Sequence, residues 1–151
     1  IGVSIYDTEC LNYLVHNYNF DVVQCPYNIL DKRIVHSGWL DKLKDKKIET
    51  HIRSIFLQGL LVNKFASKKK YFNKWQAFFF EWFQSLEKNN ISPIDYCLND
   101  LLNYEFDQII IGINSYNHLE EIIKFKNIKN KNKVLNFKTN DLKLIDPRNW
   151  K

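Results

Sequence analysis

Four short runs that are apolar almost throughout, at residues 1–5, 21–27, 48–54 and 107–113, each lead into a segment with helical spacing. Runs of this kind suit strands buried on both faces of a parallel sheet, and parallel neighbours need a crossover between them. The alternation predicts one α/β layer system with no internal repeat or low-complexity linker. A closed eight-stranded barrel needs about 250 residues. A chain of 151 residues that opens directly into an apolar run at Ile1 and has no methionine is expected to hold only part of one.

The helices follow from periodicity. Residues 8–18 carry Leu11, Leu14, Val15 and Tyr18 at spacings of three and four, with Asp7 or Thr8 placed to cap the first turn. Ser37 is placed to cap a short helix bearing Trp39, Leu40 and Leu43. After the third run comes a longer excursion, FLQGLLVNKFASKKK, and then a helix over 71–88. Its stripe of Trp75, Phe78, Phe79, Trp82, Phe83 and Leu86 reads as packing against the outside of the sheet rather than as a ligand box. Ser92-Pro93-Ile94-Asp95 combines a cap, a proline at the first helical position and an acid three residues on, with Ile94, Cys97, Leu98 and Leu101 facing inward. The last strand enters a helix with Leu119, Ile122 and Ile123 on one face, and in the polar tail Leu144, Ile145 and Trp150 are expected to dock back.

Composition excludes more than it assigns. A hydrophobic fraction of 45% argues against disorder. Lys+Arg 22 against Asp+Glu 17 gives a formal charge of +5, which could draw nucleic acid, acidic lipid or a phosphate-bearing ligand. The basic runs at 68–70 and 124–133 lack the interleaved aromatics of a base-stacking surface and read as solvated charge, so a nucleic-acid partner is not expected. No apolar stretch is long enough to span a bilayer, and Cys10, Cys25 and Cys97 match no metal or redox spacing. A soluble protein of the reducing cytoplasm is expected, with no membrane partner.

Ligands of parallel α/β sheets bind at the carboxyl ends of the strands. Those ends present Ser4 and Tyr6, then Gln24, Pro26 and Tyr27, then His51, Arg53 and Ser54, and finally Gly112, Asn114 and Ser115. The set holds no carboxylate pair, nucleophile triad, metal cluster or glycine-rich phosphate motif, so it reads as a binding wall. The Gly59 loop can bring backbone amides to an anion, and the helix after Ser115 points its positive end the same way.

The strings IGVSIYD, FDVVQCPYNILDKR, THIRSIFLQGLL and IIIGINSYNHLEEII, in this order and at these intervals, resemble strands five to eight of the aldo/keto reductases. The likeness covers most of residues 1–123, and SPIDYCLNDLL fits the usual approach to the eighth strand. It implies that residues 1–151 form the C-terminal half (strands 5–8) of a TIM (β/α)8 barrel, the N-terminal half lying elsewhere. It further implies an NADP cofactor, with NAD possible, and a small carbonyl substrate reduced by the complete form. Ser4 and Gln24 match the side chains that hold the nicotinamide carboxamide. Arg53 falls where an aromatic residue usually stacks on the nicotinamide ring, and its planar guanidinium can stack there too. Ser54, Leu57 and Gly59 belong to the loop along the pyrophosphate, and Gly112, Asn114, His118 and Glu121 match positions around the adenosine and its 2′-phosphate.

Several departures qualify the pattern. Ile5 replaces an asparagine that contacts the carboxamide in many members, and Gly112 and His118 stand where lysine and arginine are common. An imidazole holds phosphate more weakly at neutral pH than a guanidinium does, and Lys64, Lys68, Lys69 and Lys70 either compensate or are plain surface charge. The family's catalytic tyrosine, lysine, aspartate and histidine belong to the other half of the barrel, so no catalytic residue and no metal ligand is expected here. His51 is expected to line the barrel and Tyr27 the substrate mouth. The alternative is a non-catalytic, nicotinamide-binding regulatory or structural member of the same fold. In isolation the chain should be marginal, dimeric or aggregation-prone, with Val3, Val22, Val23, Ile109 and Ile110 partly uncovered.

Overall fold

The computed structural model describes residues 1–127 and 139–150. Strands β1 (Gly2–Ser4), β2 (Val22–Pro26), β3 (Glu49–Arg53) and β4 (Gln108–Ile109) form one sheet in sequence order, parallel at every pairing. The α/β parallel layer expected from the sequence is therefore present. Gly2 lies against β2 so closely that a Cβ there would sit 2.9 Å from the Val22 carbonyl oxygen.

Burial overturns the expectation of strands covered on both faces. It alternates along β2 and β3, with Val23, Cys25, Thr50 and Ile52 buried beneath the helices. The opposite face is only partly covered, and register aligns Ser4, Gln24, His51 and Gln108 across it as one polar row. Val23 points to the helix side and is fully buried, which corrects its expected exposure. Val3 and Val22 are half-buried, while Ile109 on the edge strand β4 and Ile110 just beyond it remain over two-fifths exposed. The single neighbour of an edge strand also explains why β4 is two residues long although its apolar run is seven.

Helix α1 (Leu11–Asn17) begins later than its spacing suggests. Asp7 Oδ1 accepts from the Glu9 amide and the Thr8 carbonyl from the Leu11 amide, so both candidate caps act in a preceding turn. Leu11 is fully buried and Tyr18 is exposed. The second connection divides into α2 (Arg33–His36) and α3 (Trp39–Asp45) at Gly38, whose φ of 72° breaks the helix. Ser37 therefore bonds back to the Ile34 carbonyl instead of capping α3, while Trp39, Leu40 and Leu43 are buried as expected.

The aromatic segment opens as a 3-10 turn, Lys70–Trp75, before α4 (Gln76–Lys88). Phe79, Trp82, Phe83 and Leu86 pack into the core, and the Trp82 indole donates to the Leu61 carbonyl at 3.0 Å. Ile94, Cys97, Leu98 and Leu101 of α5 (Pro93–Leu101) join them. Ser92 occupies the cap position without a side-chain bond, and Asp95 Oδ1 accepts from the Lys126 amide. Helix α6 (Tyr116–Ile123) buries no residue fully; Ile122 is half-buried, and Ile123 is 73% exposed. The chain returns through α7 (Leu142–Ile145) and the turn Pro147–Asn149, where Leu144 and Ile145 are buried and Trp150 packs edge-on to Phe72.

Lys68, Lys69 and Lys70 are exposed, and Lys64 pairs with Glu87. Most of the run 124–133 lies outside the described residues. No helix among the described residues is long and apolar enough to cross a membrane.

Candidate functional site

Strand β3 ends at Arg53, and the next six residues hold an unusual backbone. Ser54, Leu57, Gln58 and Gly59 all have positive φ, at 63°, 45°, 54° and 87°. Only the last is a glycine, so three side chains sit in a region that L-residues disfavour by about 1–2 kcal/mol each. Short bonds from the Leu57 amide to the Ser54 carbonyl and from Gly59 to Phe56 hold the turn closed. Together with the segment after β4, this turn encloses a cleft of about 330 Å³.

Six of the ten residues singled out from the sequence line that cleft: Arg53, Ser54, Gly59, Gly112, Asn114 and His118. Ser4 and Gln24 lie beside it on the open sheet face, where the Ser4 hydroxyl donates to Gln24 Oε1 at 3.2 Å. Arg53 Nη2 donates to the Ile5 carbonyl at 3.1 Å, which carries the guanidinium from β3 to the residue next to Ser4. Leu57 and Glu121 are not brought into the wall: the Leu57 side chain is fully buried in the core, and Glu121 is exposed on α6.

Among the described residues, one charge in the cleft lacks a counter-ion and one buried nitrogen lacks a hydrogen-bond partner. The chain has three arginines; Arg33 is held by Asp31 at 2.7 Å and Arg148 by Asp146 at 2.5 Å, whereas Arg53 has no carboxylate partner among the described residues. On α6, Ser115 caps the helix by accepting from the His118 amide at 3.2 Å, and this turns the imidazole inward against Phe56. His118 Nε2 is buried there with no hydrogen-bond partner. A buried nitrogen of this kind normally finds a protein or ligand group.

Sequence reasoning placed Tyr6 at the end of the first strand but did not foresee its stacking. Its ring lies between two guanidinium groups, Arg53 at 4.5 Å and Arg148 at 4.1 Å, so the C-terminal segment reaches the rim of the site. Nothing in the spacing of residues 6, 53 and 148 signals this stack. Arg148 in turn pulls the Asp146 carboxyl below the usual aspartate range through its hydrogen bonds, against the raising effect of burial.

Tyr27 corrects an expectation: it is fully buried and does not open on a substrate mouth. Its hydroxyl donates to Asp100 Oδ2 at 2.5 Å, and Lys32 Nζ bonds the other carboxylate oxygen at 2.8 Å. Burial and the Asp100 charge drive the phenol's pKa far up, which makes Tyr27 a poor proton donor, and the trio of tyrosine, aspartate and lysine ties the segment after β2 to α5. His51 lies on the open face, bonded to Glu49 at 2.9 Å. A larger cleft, about 770 Å³, is lined in part by Lys32, Arg33 and His36, but Asp100 and Asp31 already neutralise the first two. Among the described residues no group of three or more His, Cys, Asp and Glu side chains could hold a metal ion.

The model of the aldo/keto reductase family matches residues 1–136. The chain belongs to the aldo/keto reductase family. No curated protein matches it. Aldo/keto reductases are oxidoreductases that generally bind NAD(P)H, and the parallel α/β sheet is consistent with a fragment of their TIM barrel.

Proposed function

We propose that the cleft between the β3 turn and α6 binds a nicotinamide dinucleotide. On this reading residues 1–151 are the C-terminal half of an aldo/keto reductase barrel, strands five to eight. The observation that carries the reading is the convergence, on one cleft at the carboxyl ends of parallel strands, of the Arg53 guanidinium, which has no carboxylate partner among the described residues, and a partnerless buried imidazole nitrogen, His118 Nε2. Both suit a ligand with phosphate groups. Ser4 and Gln24, already paired through a hydroxyl and an amide, offer the donors and acceptors that orient a carboxamide.

When bound, the reduced cofactor supplies the hydride that converts an aldehyde or ketone to an alcohol. The residues of this chain bind and orient; the acid that protonates the carbonyl oxygen comes from the other four strands. NADP is favoured if His118 meets the 2′-phosphate, and NAD if it does not.

Titration of the complete protein with NADPH and NADH, followed by fluorescence, tests this. Saturable binding of NADPH is expected, and His118→Ala should weaken NADPH about tenfold while leaving NADH nearly unchanged. Failure of both dinucleotides to bind would sink the proposal. The present chain by itself is expected to show no carbonyl reduction, and turnover by the chain alone would show that its catalytic groups had been misplaced.

A further inference from the structure

We infer that Arg53 makes the site discriminate between the two redox forms of the cofactor, holding the reduced form more tightly than the oxidised form. The inference rests on the dinucleotide reading above, with the nicotinamide beside Ser4 and Gln24. Arg53 is fixed close to that pair: it follows Gln24 by one register step on the same sheet face, through the Pro26–Arg53 pairing, and it bonds the carbonyl of Ile5, the neighbour of Ser4. Contact with the Tyr6 ring at 4.5 Å restrains it further.

No carboxylate among the described residues forms an ion pair with this guanidinium. Arg33 and Arg148 each sit on a carboxylate, and Asp7 and Asp146 both lie within ion-pair distance of Arg148. Arg53 therefore projects a net positive charge into a partly buried site, where screening by water is reduced. The two cofactor forms carry the same phosphates, so attraction between Arg53 and phosphate cancels when they are compared. They differ in the ring, which is neutral when reduced and cationic when oxidised. A fixed cation beside the ring disfavours only the oxidised form, whereas a neutral aromatic residue there would not. Product cofactor would then leave readily, and the complete enzyme would favour reduction of carbonyls over oxidation of alcohols.

The test is equilibrium binding of NADPH and NADP+ to the complete protein, wild type against Arg53→Met and Arg53→Lys. The wild type should bind NADPH about tenfold more tightly than NADP+, equivalent to about 1.4 kcal/mol. Arg53→Met should bring that ratio below about threefold, chiefly by tightening NADP+, and Arg53→Lys should preserve it. If the methionine variant does not fold, Arg53→Gln, which keeps a donor for the Ile5 carbonyl, replaces it. An unchanged ratio in a folded neutral variant that binds both forms, or a wild type with no preference, overturns the inference alone. If the protein takes NADH and NAD+ instead, the same ratios are read with that pair, and absence of binding by all four forms overturns the dinucleotide reading and this inference with it.

Discussion

Tyr27 and Asp100 are 73 residues apart in sequence, yet share a 2.5 Å hydrogen bond that no local pattern foretells. Their worth is testable: Tyr27→Phe should lower unfolding free energy by about 2 kcal/mol in denaturant melts, with no change in dinucleotide affinity. Asp146 offers a pH test. Arg148 holds its folded-state pKa below the ordinary 3.8, so the pair stabilises the fold above that value and loses its effect as pH falls through the lowered one. Arg148 is about half exposed, which limits the contribution to about 1 kcal/mol. Arg148→Met should melt below wild type at pH 7, and the gap should close as thermal melts are taken below pH 3.8. The sequence marked Ser4, Gln24 and Arg53 because topology fixes the strand ends. It gave no sign that Leu57 and Gln58 take positive φ, because a left-handed backbone leaves no signature in a residue other than glycine.

Among the elements, periodicity told which residues share a face but not whether anything covers it. The stripe on α4 is buried against the excursion after β3, and its stiff aromatic spacing made that legible. On α6 the same kind of stripe meets little, and Ile123 points to solvent. A helix of eight residues with no fully buried side chain leans on its cap. Ser115→Ala should cost about 1 kcal/mol of local stability, seen as faster amide exchange over Tyr116–Ile123 with little change in the global melt. Cap chemistry itself was readable only where no competitor was near: Ser115 caps its helix, whereas Ser37 and Asp95 are diverted to the Ile34 carbonyl and the Lys126 amide.

For the molecule as a whole, the parallel order was written in the alternation of apolar runs and helices, but the uncovered face was not, because an apolar run cannot say how many sides will be packed. The polar row and the short outer strands leave backbone groups on β1 and β4 open to pairing. The chain alone should therefore self-associate as its concentration rises in analytical ultracentrifugation, and a monomer at all concentrations would show that these edges are inert. The alignment of Ser4, Gln24, His51 and Gln108 has a consequence for how such a chain tolerates change in length. Inserting or deleting a single residue within any strand would swing its polar member under the helices and bring an apolar one out, whereas the long excursion between β3 and α4 can grow or shrink without disturbing that alignment.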